Sequence, residues 1–318
     1  MRIIDSAQVR RVLDLATAYE SQVEAFRCLG SGLADLPDRI ILEGTGADAV
    51  SFCYAARLRP GTGAVCKFGA VAAGNAQLGL PSVHAMVVAL HPVTGVPVAI
   101  VDGEALTELR TAAASALAVD RLSIPDAATL AVVGCGVQGR AHVRALAARR
   151  RYRQIRLFDH TPGHAEAARD DLTRDDLAPL PLSVAPSVAE AVAGAEVVVL
   201  CTTSSEPMLE AAWVAPGATV VSIGSFERSR CEVAPSFVAG VDQVVVDHKP
   251  IALRQAGPVV AAIAEGMDPA RVADLGELVA QDRPGRDSPH QTVFYNSVGL
   301  GVQDAAAVWA ILGELADA

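Results

Sequence analysis

The feature that most restricts the fold is Gly134-Cys-Gly136-Val-Gln-Gly139, which follows the apolar run Thr129–Val133 and precedes a helical stretch, Arg140–Arg149. Glycines at this spacing permit a tight strand-to-helix turn and let the backbone approach a pyrophosphate. The helix N-terminus then supplies N–H donors to it. A strand, glycine turn and helix in this order call for a parallel sheet with crossover helices. The 318 residues are long enough for it, with room for about two domains.

The second half continues the alternation. Ile155–Phe158, Val197–Thr202, Thr219–Ile223 and Val244–Asp247 read as strands and His164–Leu172 as a helix, which predicts a doubly wound parallel sheet. Gly134, Gly136, Val137, Gln138 and Gly139 form the expected pyrophosphate turn. Asp159 ends the next strand, twenty residues after Gly139. A carboxylate there bonds both hydroxyls of an adenosine ribose and repels a 2′-phosphate, which favours NAD(H) over NADP(H). His160 works against that preference. The strand ends Thr202-Thr203-Ser204 and Ile223-Gly224 carry small polar groups that suit cofactor contacts or ordinary turn chemistry.

The first half has another pattern. Residues 1–38 read as two short helices capped by Ser6 and Thr17, the second ended by Gly30 to Gly32. Short β-rich runs follow at Ile40–Leu42, Val50–Arg57, Ala64–Phe68, Val83–Leu90 and Val96–Val101, separated by Gly/Pro turns. They predict a compact antiparallel unit. Thr107–Leu122 reads as an Ala-rich helix and Asp304–Leu315 as a closing helix.

Composition narrows the function. The chain is 51% hydrophobic but only 4% aromatic, so Ala, Val, Leu and Ile must build the core. With 36 acidic and 26 basic residues the net charge is −10, which argues against a nucleic-acid surface. No apolar run reaches the roughly 18–20 residues of a membrane span, and no signal-like stretch opens the chain. Six cysteines without Cys-x-x-Cys or zinc spacing read as reduced thiols in a cytoplasmic protein with no metal. A mean hydropathy of +0.33 fits a chain that buries surface between subunits, or simply an Ala/Val-rich core.

Lysine is nearly absent. Only Lys67 and Lys249 occur, which leaves 24 arginines among the 26 basic residues. Lys67 interrupts the apolar run Ala64-Val-Cys-Lys67-Phe. A lysine there is an edge residue or points into a site, where it can shift its pKa and move protons as arginine cannot. Arg110, in the first turn of a helix starting at Thr107, is explained if an anion joins the cation at the helix N-terminus. Arg39 and His84 are less specific candidates, and Lys249 reads as surface.

These residues carry a resemblance. Lys67, Gly74-Asn75, Gly79-Leu-Pro81, Thr94-Gly95, Val101-Asp-Gly103 and Leu106-Thr-x-x-Arg110-Thr-Ala-Ala lie in order. Downstream follow Val133-Gly-Cys-Gly-Val-Gln138, Asp159, Ile223-Gly224 with Glu232, Ser297-x-Gly299 and Gln303-Asp304. End to end, the chain resembles the ornithine cyclodeaminase/mu-crystallin family. The resemblance implies an α/β subunit: a Rossmann domain (120–296) inserted into a β-rich substrate and dimerisation domain (1–119 plus 297–318). It implies a homodimer and a small amino- or imino-acid substrate. Arg39, Lys67 and Arg110 would hold the substrate carboxylate. Thr111, Gln138, Asp159, Thr202 and Ile223 would contact the dinucleotide, with Thr203, Ser204, Gly224 and Ser297 beside them. Cyclodeaminases of the family carry a basic Asp where this chain has Phe226, and Phe takes no proton. The resemblance therefore implies an NAD(H)-dependent imine reductase or amino-acid dehydrogenase. An ornithine cyclodeaminase and a non-catalytic, crystallin-like binding protein are the alternatives.

Overall fold

The structure is a computed structural model that describes residues 1–317 apart from 43, 45–48, 82 and 176–178. The chain opens with β1 (Arg2–Ile4), α1 (Ser6–Val12), α2 (Leu15–Gly30), β2 (Ile40–Leu42), β3 (Val50–Ala56), β4 (Val65–Val71), β5 (Val83–Leu90), β6 (Pro97–Asp102) and α3 (Gly103–Leu122). Then come β7 (Thr129–Val133), α4 (Val137–Arg149), β8 (Gln154–Phe158), α5 (His164–Thr173), β9 (Leu182–Val184), α6 (Val188–Val192), β10 (Val197–Leu200) and β11 (Thr219–Ser222). The last run is α7 (Pro235–Gly240), β12 (Gln243–Val246), α8 (Lys249–Gln255), α9 (Gly257–Ala264), β13 (Val272–Asp274), α10 (Leu275–Ala280), β14 (Val293–Asn296) and α11 (Gly301–Asp317). Two compact units result, Met1–Thr111 with Leu300–Ala318, and Ala112–Gly299.

The first unit holds a six-stranded sheet in the order β1-β6-β5-β4-β3-β2. Its neighbours are antiparallel except for β1, which lies parallel to β6. Side chains alternate across a pleated strand, so one sheet face carries Tyr54, Lys67 and Val87 in register and the other carries Cys53, Phe68 and Met86. Helix α11 packs on β3, β4 and α2, which covers the first of these faces. The helix caps differ from the sequence expectation. Asp5 caps α1 and Asp14 caps α2, whereas Ser6 and Thr17 lie inside the helices. A carboxylate accepting from N3 satisfies the first-turn N–H groups at least as well as a hydroxyl.

The second unit holds an eight-stranded parallel sheet in the order β13-β12-β14-β11-β10-β7-β8-β9. Every residue of β10, β11 and β14 is buried. That explains their near-continuous apolar runs, since helices cover both faces of a parallel sheet. Each buried Val or Leu contributes roughly 1.5–3 kcal/mol. Helix α3 is buried from Thr111 to Val119. Among the described residues no helix is long and apolar enough to cross a membrane.

Candidate functional site

In the first unit, strand alternation sets Lys67 under α11, where it is 2% exposed. Its Nζ donates to Asp304 Oδ1 at 3.1 Å and to the Thr107 hydroxyl. Tyr54, directly across from Lys67 on β3, donates its hydroxyl to Asp304 Oδ2 at 3.1 Å. The Lys67 ammonium also lies 5.9 Å from the Tyr54 ring centre. Arg110 is 5% exposed and donates from Nη1 to Gln303 Oε1 at 2.9 Å. Its Nε lies 3.4 Å from Asp304 Oδ1 without hydrogen-bond geometry. Gln303 Oε1 also accepts from Leu300 N at 2.8 Å, while Gln303 Nε2 is buried without an acceptor among the described residues.

Two buried cations here share one carboxylate, and a buried amide donor goes unmet. Unpaired buried charge is costly and buried donors normally find acceptors, so the cluster is built to take an added anion. Burial pushes the Lys67 ammonium down to about 8, Asp304 working against that and Arg110 with it. Burial also pushes the Tyr54 hydroxyl up, and Asp304 adds to the effect.

The sequence rationale for Arg110 needs correction. Helix α3 starts at Gly103, where the Asp102 carboxylate accepts from Ala105 N at 2.9 Å. Arg110 is therefore two turns inside, and the helix dipole, felt within the first turn, does not account for it. Asp304 and Gln303 do. Arg39 is half-buried just before β2, close enough for its charge to act on the Tyr54 hydroxyl. His84 does not join the cluster. Its parity on β5 places it on the opposite sheet face from Lys67, exposed, with Nδ1 2.5 Å from Glu104 Oε1. Thr111 donates its hydroxyl to Thr107 O at 2.6 Å.

In the second unit the three glycines of the turn have separate tasks. Gly134 has φ +94°, and a Cβ on it would stand 2.5 Å from Cys201 O. A Cβ on Gly139 would stand 1.9 Å from Gly134 O, so this glycine lets α4 close on the turn. Gly136 caps α4 without a side-chain bond, and open space lies where its Cβ would be. Val137 beside it is 55% exposed, and Gln138 Oε1 is a buried acceptor without a donor among the described residues. An uncapped helix N-terminus facing open space fits a dinucleotide's pyrophosphate. Asp159 Oδ2 accepts from Cys135 N at 2.7 Å and Oδ1 from Thr161 N at 2.8 Å. The ribose-reading carboxylate is thus fixed to the glycine turn.

The strand-end residues divide differently. Glu232, fully buried, accepts from Thr202 N at 2.7 Å and Thr202 Oγ1 at 2.8 Å through Oε1. Its Oε2 accepts from Ser222 Oγ at 2.6 Å and Gly224 N at 2.8 Å. The Thr202 hydroxyl therefore serves the protein, and Thr203 is the exposed member of its trio. Ser204 donates its hydroxyl to Glu206 O, and Ile223 N donates to Leu200 O. The Ser297 hydroxyl donates to Asp247 Oδ2 at 3.2 Å. Lys249 opens α8 half-buried, its backbone N–H donating to Asp274.

A doubly wound unit with a dinucleotide turn, on one chain with a buried anion-seeking cluster, defines an NAD(H)-linked enzyme of small anionic substrates. The chain belongs to the ornithine cyclodeaminase/mu-crystallin family, whose profile matches residues 3–318. It is 30% identical over 234 residues to the ketimine reductase mu-crystallin of Mus musculus, covering 74% of this chain and 70% of that protein. The Thermococcus litoralis Δ1-pyrroline-2-carboxylate reductase, solved with NADH and L-proline, superposes with TM-score 0.94 at 26% identity, covering 100% of this chain and 98% of that one. An archaeal alanine dehydrogenase dimer with bound NAD superposes with TM-score 0.91 at 26% identity, covering 100% and 96%.

Proposed function

We propose that this NAD(H)-dependent oxidoreductase reduces a small cyclic imino acid to the corresponding amino acid. The observation that carries the reading is the pair of buried cations, Lys67 and Arg110, sharing the single carboxylate of Asp304. A substrate carboxylate supplies the missing anion. Arg110, Lys67 and Arg39 hold it, and a guanidinium can grip both of its oxygens. Residues 1–119 with 297–318 form the substrate domain, and 120–296 the dinucleotide domain. Gly134 to Gly139 cradle the pyrophosphate, Asp159 takes the ribose hydroxyls, and Thr203, Ser204, Ile223, Gly224 and Ser297 line the strand ends. The bound dinucleotide supplies the hydride that reduces the C=N carbon. Holding the carboxylate fixes the orientation of the reacting carbon, and such positioning is worth up to roughly 7–11 kcal/mol.

Phe226 supports an apolar ring substrate. It is half-buried, with the Arg230 guanidinium 4.8 Å from its ring centre and Arg230 paired to Glu227 at 2.8 Å. Phe226 offers no base to a diamino acid, and the adjacent Glu227 carboxylate is taken up by Arg230. The purified enzyme with NADH and Δ1-pyrroline-2-carboxylate is expected to consume NADH. Ammonia release from ornithine with NAD⁺, without that reduction, overturns the reading in favour of a cyclodeaminase. No turnover with either, alongside tight dinucleotide binding, favours a binding protein. Asp159→Asn is expected to lower the preference for NADH over NADPH, as the ratio of kcat/KM values, by about tenfold, one lost charge contact being worth ~1.4 kcal/mol.

The enzyme works as a homodimer in the cytoplasm, where its six free thiols stay reduced. A second copy covers the outer face of the six-stranded sheet. On that face Ile3 is 75% exposed, Ile40 60%, Phe68 52% and Met86 50%. Ile40, Cys53, Phe68 and Met86 form one row across four strands, and contiguous exposed apolar side chains of this kind mark interaction surfaces. Light scattering is expected to give twice the chain mass for the wild type and the monomer mass for Phe68→Glu. A dimeric Phe68→Glu protein would move the interface elsewhere.

A further inference from the structure

Lys67 has three protons to donate. Asp304 and Thr107 take two of them, which leaves the third for the ligand, and an α-imino acid sets its nitrogen next to the carboxylate that Lys67 helps to hold. Around it stand Asp304 on α11, Thr107 and Arg110 on α3, Tyr54 on β3 and, acting on Tyr54, Arg39. Asp304 is the one anion of the set. Its Oδ1 faces both cations and its Oδ2 is occupied by the Tyr54 hydroxyl. We propose that Asp304, oriented by Tyr54, is a positioning residue that keeps Lys67 protonated and aimed, so that Lys67 can give its proton to the substrate nitrogen. This rests on the imine-reductase reading above. In that direction a Nζ–H bond breaks and an N–H bond forms on the substrate as its C=N carbon accepts the hydride. Lys67 is left neutral and takes its proton back from water.

The two partners act on Lys67 in opposite senses. Removing the Asp304 charge leaves Lys67 with burial and Arg110 alone, both of which favour the neutral amine. Removing the Tyr54 hydroxyl frees Oδ2 from a donor, concentrates the carboxylate charge on the cations and favours the ammonium. Asp304→Asn therefore lowers the Lys67 pKa from about 8, and Tyr54→Phe raises it. A role limited to packing would not move the two in opposite directions.

Two lysines in the whole chain make the test direct. Enzyme labelled with [13Cε]lysine gives two side-chain signals, and Lys249 serves as the internal reference. Titration of the wild type is expected to give one midpoint near 8 for Lys67. Asp304→Asn should lower that midpoint by about one unit or more, and Tyr54→Phe should raise it. The basic limb of kcat/KM for NADH-dependent Δ1-pyrroline-2-carboxylate reduction should move with it in each variant. A Lys67 midpoint moved by neither variant, or a basic limb that ignores it, overturns the proposal. If Asp304→Asn fails to fold, Tyr54→Phe decides alone by the sign of its shift. Wild-type enzyme that titrates as expected but reduces no imine would instead overturn the functional reading, and with it the proton-donor step.

Discussion

Lys67→Arg is expected to abolish most of the turnover while keeping the charge: a fall of about 10²–10⁴ in kcat/KM for imine reduction, the usual range for losing a positioned acid. Arginine is the near-universal cation of this chain, with 24 copies, so the exchange asks what only lysine can do at this place. Two properties separate them. A guanidinium does not release its proton near neutral pH, whereas burial brings the Lys67 ammonium to about 8, within reach of neutral pH. Its planar fork is also larger than an ammonium. Lys67 is 2% exposed, so the larger replacement crowds Tyr54, Thr107, Arg110 and Asp304. NADH binding by fluorescence and the circular dichroism spectrum should stay close to wild type, since neither depends on proton release. Retained kcat/KM in Lys67→Arg would show that Lys67 supplies charge alone.

What could be read beforehand follows from the range of each interaction. The glycine turn is a local pattern, and Gly134, Gly136 and Gly139 take the three tasks their spacing implies. Strands β2 and β5 carry the expected bounds because β-rich runs stop at turn residues there. Strands β9 and β13 and helix α6, of three to five residues, do not show in the sequence because they are too short to show a period and lack apolar runs closed by turn residues. The start of α3 is not legible in the sequence because Gly103 looks like a turn residue, while the Asp102 carboxylate that starts the helix gives only a weak signal. The helix-terminus rationale for Arg110 therefore fails, and its partners are 193 and more residues away. Gln303 and Asp304 did leave a trace, two polar residues inside a helix otherwise rich in Ala, Val and Leu. What they do could not be read from it, because Asp304 meets Lys67 across 237 residues of chain. Glu232 shows in the sequence only as a landmark of the resemblance, and its role is not legible there because its partners lie at the ends of two other strands.

Glu232 is where the largest loss of stability is expected. Its carboxylate receives four donors: two from Thr202 after β10, one from Ser222 at the end of β11 and one from Gly224 just beyond. It thereby fixes the ends of two adjacent parallel strands, where ligands of a doubly wound sheet bind. Glu232→Leu leaves four donors without their acceptor, those of Ser222 and Gly224 fully buried and those of Thr202 half-buried, and at about 1–3 kcal/mol for each unmet buried donor the unit should lose on the order of 4 kcal/mol. Glu232→Gln is milder and more telling. Its oxygen can replace Oε1 toward Thr202, and its NH2 can donate to the Ser222 oxygen. The same NH2 then faces the Gly224 N–H, donor against donor, at a cost of about 2 kcal/mol. Burial pushes the Glu232 carboxyl up to about 7 against the pull of its four donors. An acid whose folded pKa lies above its unfolded value binds a proton on folding. Stability from this group is therefore greatest below the unfolded value of 4.5 and is lost as pH rises toward 7. In urea titrations with and without NADH, Glu232→Gln should lower the midpoint of the NADH-sensitive transition and flatten its dependence on pH between 5 and 7. NADH affinity should fall as well, because Thr202 to Ser204 and Gly224 lose their common anchor. A Glu232→Gln protein with wild-type stability and the wild-type pH slope would mean that the four contacts are made but contribute nothing net.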